Sequence, residues 1–286
     1  VCRLIQGFAG AGGLVISRSI VTDLYSGNAL ARTFSLMAAI NGVAPVGAPV
    51  LGGIMLEWTD WQGIFVILLV IGITLTLIGF AQKETLPQEN RFKGGVLSTF
   101  SQLIPVLRNR QFSHYLLIQT FAMGVLFSYI AASPFIFQEH YQISPLLYSI
   151  CFGVNAFAIM VGSSLLTPRF ANAITALRIG STIFFLLGLA TAAALMADLP
   201  FAVVEGLLFL MMFFFGMVMP TSTALALDLE RKSAGNASAL LGFTQFLFGG
   251  IVSPLTGMGN ILVSTGLIIA LCCIVMYIFS RVATQK

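Results

Sequence analysis

The chain has 286 residues, of which 58% are hydrophobic and 8% charged, with a mean hydropathy of +0.97 and a net charge of +4. Soluble domains carry about 25% charged residues, so a water-soluble globule is excluded, and the basic residues do not gather into a nucleic-acid-binding patch. The alternating segments of about 10 residues that build a membrane barrel are missing as well.

Uncharged apolar runs recur along nearly the whole chain, each of about 20 residues, the length that crosses a bilayer. They predict nine membrane-spanning helices at 1–22, 33–56, 62–81, 114–137, 145–167, 175–197, 200–227, 237–257 and 260–280. Along this order Arg18, Arg32, Lys83, Arg91, Lys93, Arg108, Arg110, Arg169, Arg178, Arg231, Lys232, Arg281 and Lys286 all fall on one side. The opposite loops hold only Glu57, Asp60, Glu139 and Asp198. Basic loops stay cytoplasmic, so this asymmetry predicts a cytoplasmic C-terminus. Trp58, Trp61 and Tyr141 then lie at the outer rim, where amphipathic rings settle.

The first span carries Arg3, about 22 Å from the boundary near Arg18. Arginine at that depth costs at least about 2.5–3.5 kcal/mol, which reads as a functional charge with a carboxylate or carbonyl partner. The plainer reading is a flanking basic residue. Gly7, Gly10, Gly12 and Gly13 follow it and invite close packing by another helix.

The second span contains NGVAPVGAPVLGGIM, Asn41–Met55. Gly42, Pro45, Pro49, Gly52 and Gly53 fall on one helical face, with Gly47 between them. Residues without bulk let a neighbour approach, and the prolines bend the helix. A bent, tightly packed seam between two halves is expected, against the simpler alternative of plain close packing.

Residues 82–113 form the one long connection. Its first part is polar. Its second part places Val96, Leu97, Phe100, Leu103, Ile104 and Leu107 on one stripe, which predicts an amphipathic helix on the inner leaflet. The alternative is an ordinary, partly buried loop helix. This gives three parts: residues 1–81 as three helices of a first bundle, 82–113 as a cytoplasmic linker, and 114–286 as a six-helix bundle.

Within the second bundle, Gln119 and Asn155 are candidates to line a substrate cavity or to bridge helices. Glu205 lies five residues past Pro200 in an apolar helix, and either titrates in a cavity or snorkels outward. His114 and His140 sit at membrane boundaries and are expected to be solvated. The run LLFLMMFFFGMVMP at 207–220 invites a drug-pocket reading, since Met and aromatic surfaces repack around varied ligands, but it is bulky on every side, so much of it is expected to face lipid. Cys2, Cys151, Cys272 and Cys273 lack metal-ligand spacing and read as apolar packing.

A short repeat relates the two bundles. Asp23-Leu24 and Gly27-Asn28-Ala29 precede the Pro45–Pro49 helix; Asp228-Leu229 and Gly235-Asn236-Ala237 precede the helix with Pro254. Parallel repeats of this kind build a common transporter architecture. The repeated helix is fifth of six in the second bundle and second of three in the first, so three upstream helices are expected to be missing from a twelve-helix whole.

RxxQGxxG in one helix, a loop with Asp and Arg, and then G-x4-G-A-P-x2-G-G resembles the major facilitator superfamily. DLYSGNALARTFSLMAAINGVAPVGAPVLGG and KETLP are similar to the drug:proton antiporters of the Bcr/CflA, or bicyclomycin-resistance, group. The resemblance implies an all-α membrane fold with nine transmembrane helices present of an expected twelve. It implies proton transfer at Arg3, an antiporter motif from Gly42 to Gly53, and a gating loop holding Asp23 and Arg32. Ala48 stands where that family usually has glycine.

The expected activity is proton-coupled efflux of small hydrophobic, drug-like molecules through the cytoplasmic membrane, by a monomer without cofactor or metal. A metabolite transporter of the same fold, or an inactive fragment of one, are the alternatives. No HExxH or GxSxG occurs, so an enzyme is not expected.

Overall fold

A computed structural model of the chain describes residues 2–24, 48, 51–52, 55, 58–81, 101–166, 172–230 and 233–285. The expected linker portion at 82–100 lies outside the described residues. So do Arg32 and nearly all of the 33–56 span, including Gly42, Pro45, Gly47, Pro49 and Gly53. The chain forms two compact units, residues 1–93 and 94–286. Every regular element among the described residues is helical, and seven of the helices are long and apolar enough to cross a membrane.

The first unit contains α1 (Cys2–Leu24) and α2 (Trp61–Ala81). The Asp60 carboxylate accepts the Gly63 backbone N–H at 3.1 Å and so opens α2. Helix α2 has a mean hydropathy of 2.8 and no residue buried among the described residues. Helix α1 is not among the seven spans. An added Cβ at Gly7, Gly10, Gly12, Gly13 or Gly52 meets nothing within 4 Å.

The second unit begins with the short α3 (Leu103–Arg108) and continues through six long helices. These are α4 (Arg110–Pro134), α5 (Pro145–Val161), α6 (Ala173–Met196), α7 (Phe201–Leu229), α8 (Ala234–Leu255) and α9 (Ile261–Ala283). Short polar side chains start four of them by accepting the orphan backbone N–H groups. Asn109 caps α4, Ser144 caps α5 ahead of Pro145, Asn172 caps α6, and Asn260 caps α9. Helix α4 widens into a π-helical segment at Phe135–His140, directly after Pro134, and α5 does so at Gly162–Leu166.

Packing runs α8–α4–α9–α6–α7–α5, with α4 also touching α7 across the middle. Phe112, Ile118 and Val125 of α4, Met211 and Met212 of α7, and Ile269 and Met276 of α9 are fully buried there. Here the expectation for 207–220 is corrected. Leu210 is the one exposed residue of that run, because α7 is surrounded by α4, α5 and α6 rather than by lipid on most sides. A helix apolar all round is as much a buried helix as a lipid-facing one.

The amphipathic-stripe expectation is also modified. Helix α3 is six residues long, under two turns. Val106, which is not in the stripe, turns into the core, while Ile104 and Leu107 are exposed.

Glycine matters most where α5 meets α7. A Cβ on Gly162 would strike the Phe213 carbonyl, and one on Gly216 would strike the Ile159 carbonyl. This reciprocal contact brings the two backbones together, as small residues do in membrane bundles.

Candidate functional site

Four residues from three helices converge in the half of the bundle away from the basic loops. Helix α7 starts behind Pro200, so Glu205 sits only about 6 Å along it. Helix α5 carries Asn155, 1% exposed, and α4 carries Tyr129, also buried. The Asn155 Nδ2 donates to both Glu205 carboxylate oxygens, at 3.1 and 3.3 Å, and to the Tyr129 hydroxyl at 3.0 Å. Cys151, also buried, lies one turn before Asn155 on the same helix. Glu205 thus turns inward rather than only outward.

Asn155 Oδ1 is buried without a hydrogen-bond partner among the described residues. Tyr129 is fixed by stacking on Phe152, with ring centroids 5.8 Å apart and planes at 14°. Beside Tyr129 lies a cavity of about 10 Å³, lined by Ser133, Thr265, Phe137 and aliphatic side chains. That is the lower limit for one water molecule.

A second polar contact lies deeper, between α4 and α8. The Gln245 Nε2 donates to Gln119 Oε1, and the Gln119 Nε2 is buried without a partner among the described residues. Gln119 is 1% exposed. Both Gln119 and Asn155 therefore hydrogen-bond between helices, and each leaves one amide atom unmatched.

Arg3 and Asp23 lie in the first and last turns of α1, with their side chains outside the described residues. Asp23 and Leu24 are the last described residues of α1, and Asp228 and Leu229 close α7. His114 is half-buried and near the Phe279 ring at 5.9 Å, rather than solvated. His140 is exposed, but its Nε2 pairs with Asp198 Oδ1 at 2.7 Å. Next to it, the Tyr141 hydroxyl donates to the Leu199 carbonyl at 2.7 Å. Burial and the Asp198 charge raise the Tyr141 phenol above its ordinary range.

Tyr129, Cys151 and Gln245 were missed by sequence reasoning. Gln245 was as visible as Gln119, a lone amide in an apolar span. Tyr129 and Cys151 carry no signal until the helices are placed side by side.

The all-helical bundle, with seven helices among the described residues long and apolar enough to cross a membrane, defines a polytopic membrane protein. Residues 1–254 match the model of the Major Facilitator Superfamily, and the chain belongs to that family. It is 37% identical over 264 residues to the uncharacterized MFS-type transporter YdgK of Bacillus subtilis, covering 90% of this chain and 65% of that protein. It is 28% identical over 260 residues to the bicyclomycin resistance protein homolog of Haemophilus influenzae, covering 88% and 64%. The multidrug resistance protein MdtL of Salmonella typhi is 31% identical over 162 residues, 56% of this chain and 40% of that one. The chain thus spans just under two thirds of the length of the first two relatives. Among solved structures, the E. coli fucose:proton symporter FucP aligns with a TM-score of 0.57 at 21% identity, over 90% of this chain and 68% of that one. FucP in an outward conformation aligns at 0.55 and 22% identity, over 79% and 55%.

Proposed function

We propose that the protein exports small hydrophobic, drug-like molecules across the cytoplasmic membrane in exchange for protons, as a transporter of the Bcr/CflA type. The observation that carries the reading is the Glu205 carboxylate, set among apolar helices and held by the Asn155 amide. The names of the bicyclomycin-resistance and MdtL relatives support the drug substrates.

Asn155 serves both protonation states of Glu205. With the carboxylate ionised, Nδ2 donates to it. With the carboxyl protonated, a turned amide presents Oδ1, which lacks a partner now, to the acid O–H. The proton exchange is thereby linked to α5, α7 and, through Tyr129, α4.

In this reading Arg3 is the second proton-coupling group, and the Gly42–Gly53 motif seals and hinges the seam between bundles. Asp23 and Arg32 gate the inner side. The unmatched donor of Gln119 offers a hydrogen bond to a substrate near the midplane, as alternating access requires of a central site. The carrier works as a monomer, with its C-terminus in the cytoplasm.

The test is reconstitution into liposomes with an imposed pH gradient, following a hydrophobic fluorescent dye. Gradient-driven export by the wild type and its loss in Glu205→Gln, with downhill dye exchange retained, is the expected result. Export that ignores the gradient, or equal gradient-driven export by the variant, contradicts it.

A further inference from the structure

We propose that the basic end of the α6–α9 seam binds the phosphate headgroup of an anionic membrane lipid, read by Arg178 and Arg281. The two guanidinium groups are built into place. The Arg178 Nη2 donates to the Thr284 carbonyl at 2.7 Å. The Arg281 Nε donates to the Tyr277 hydroxyl at 2.8 Å and its Nη2 to Thr182 Oγ1 at 3.3 Å. Thr182 in turn donates to the Arg178 carbonyl at 2.6 Å, which links the two arginines through one side chain. Below them the Tyr277 ring lies 4.9 Å from the Arg281 guanidinium carbon and stacks on Phe185, with centroids 4.4 Å apart and planes at 9°.

Neither arginine has a carboxylate within 4.0 Å among the described residues, where the one ion pair is His140–Asp198 at the other end of the bundle. A guanidinium has five N–H donors in a planar fork. The bonds above occupy one on Arg178 and two on Arg281. The remaining donors suit a phosphate, which takes paired N–H bonds from such forks.

A lipid rather than a free anion is indicated by what lies along the same two helix stripes. Arg178, Thr182 and Leu186 are four residues apart, and Ile274, Ile278 and Arg281 are four and three apart, so each set shares a face. Leu186, Ile274 and Ile278 are exposed. An apolar ridge thus runs into the bundle's hydrophobic band directly from the arginines, where acyl chains lie under a headgroup. Basic pockets between helices recognise anionic lipids by this combination.

The experiment is native mass spectrometry of the detergent-purified protein titrated with phosphatidylglycerol and, separately, phosphatidylcholine. The wild type is expected to prefer phosphatidylglycerol by roughly fivefold for each arginine engaged, and Arg178→Gln/Arg281→Gln to show no preference. Arg178→Lys/Arg281→Lys keeps the charge without the fork, and is expected to keep only part of it. Thermal unfolding of each variant confirms that it is folded. Equal binding of both lipids by the wild type, or an unchanged preference in either double variant, overturns the proposal. Displacement of phosphatidylglycerol by equimolar inorganic phosphate overturns the assignment to a lipid headgroup.

Discussion

Replacing Asn155 by leucine removes three donor contacts made by one buried nitrogen, two to Glu205 and one to Tyr129. A hydrogen bond to a charged group contributes about 1.5–3 kcal/mol in water-soluble proteins. Double-mutant cycles within membranes average about 0.6 and reach about 1.7 kcal/mol. Because Asn155 is buried and its partner is ionisable, the expected loss for Asn155→Leu runs from the top of the membrane range up to the charged-bond value, about 1.5–3 kcal/mol. Glu205→Leu should cost less, since Asn155 keeps its bond to Tyr129 and no carboxylate is left without its amide. The double variant should be more stable than the sum of the single effects predicts, with a coupling of about 1–2 kcal/mol. Reversible unfolding in mixed detergent–SDS micelles measures all four corners of the cycle. Additivity within about 0.5 kcal/mol would refute the reasoning, because it would mean the amide and carboxylate do not depend on one another.

Three other expectations follow from separate parts of the fold. Gly216→Ala and Gly162→Ala each force α5 and α7 apart at a carbonyl, and should lose about 1–3 kcal/mol in the same unfolding assay. Gln245→Met leaves Gln119 with both amide groups unmatched. It should therefore be less stable than Gln119→Met/Gln245→Met, in which no buried polar group is stranded, by about 1–3 kcal/mol. Tyr141 has a folded-state pKa above its unfolded value of 10.0. The folded protein thus holds that proton more tightly, and the resulting stability, full below pH 10.0, is lost as pH rises through the folded pKa. On raising the pH above that point, the wild type should lose stability relative to Tyr141→Phe, as read from melting temperature.

Much of the membrane plan is legible in the chain because lipid imposes a simple rule on it. The spans expected at 175–197 and 200–227 appear as Ala173–Met196 and Phe201–Leu229, since an apolar run bounded by Asn172 or Pro200 has few other options. What escaped sequence reasoning was lateral. Hydropathy does not distinguish a helix turned to lipid from one turned to its neighbours, which is why much of 207–220 reads as lipid-facing although α4, α5 and α6 pack around most of it. Glu205 and Asn155 stood out singly as polar residues in apolar runs, but their 50-residue separation hides that one bonds the other. Arg178 and Arg281 registered only as positive charges. Their shared fastening through Thr182 depends on α6 and α9 lying side by side.

The central claim is that Glu205 exchanges a proton as substrate binds. Adding a hydrophobic cationic dye to the purified protein in weakly buffered detergent solution, with a pH indicator present, reads this directly. Proton release from the wild type and none from Glu205→Gln, at matched dye occupancy, is the result the account predicts. Equal release from both proteins, or none from the wild type once dye is bound, would contradict it.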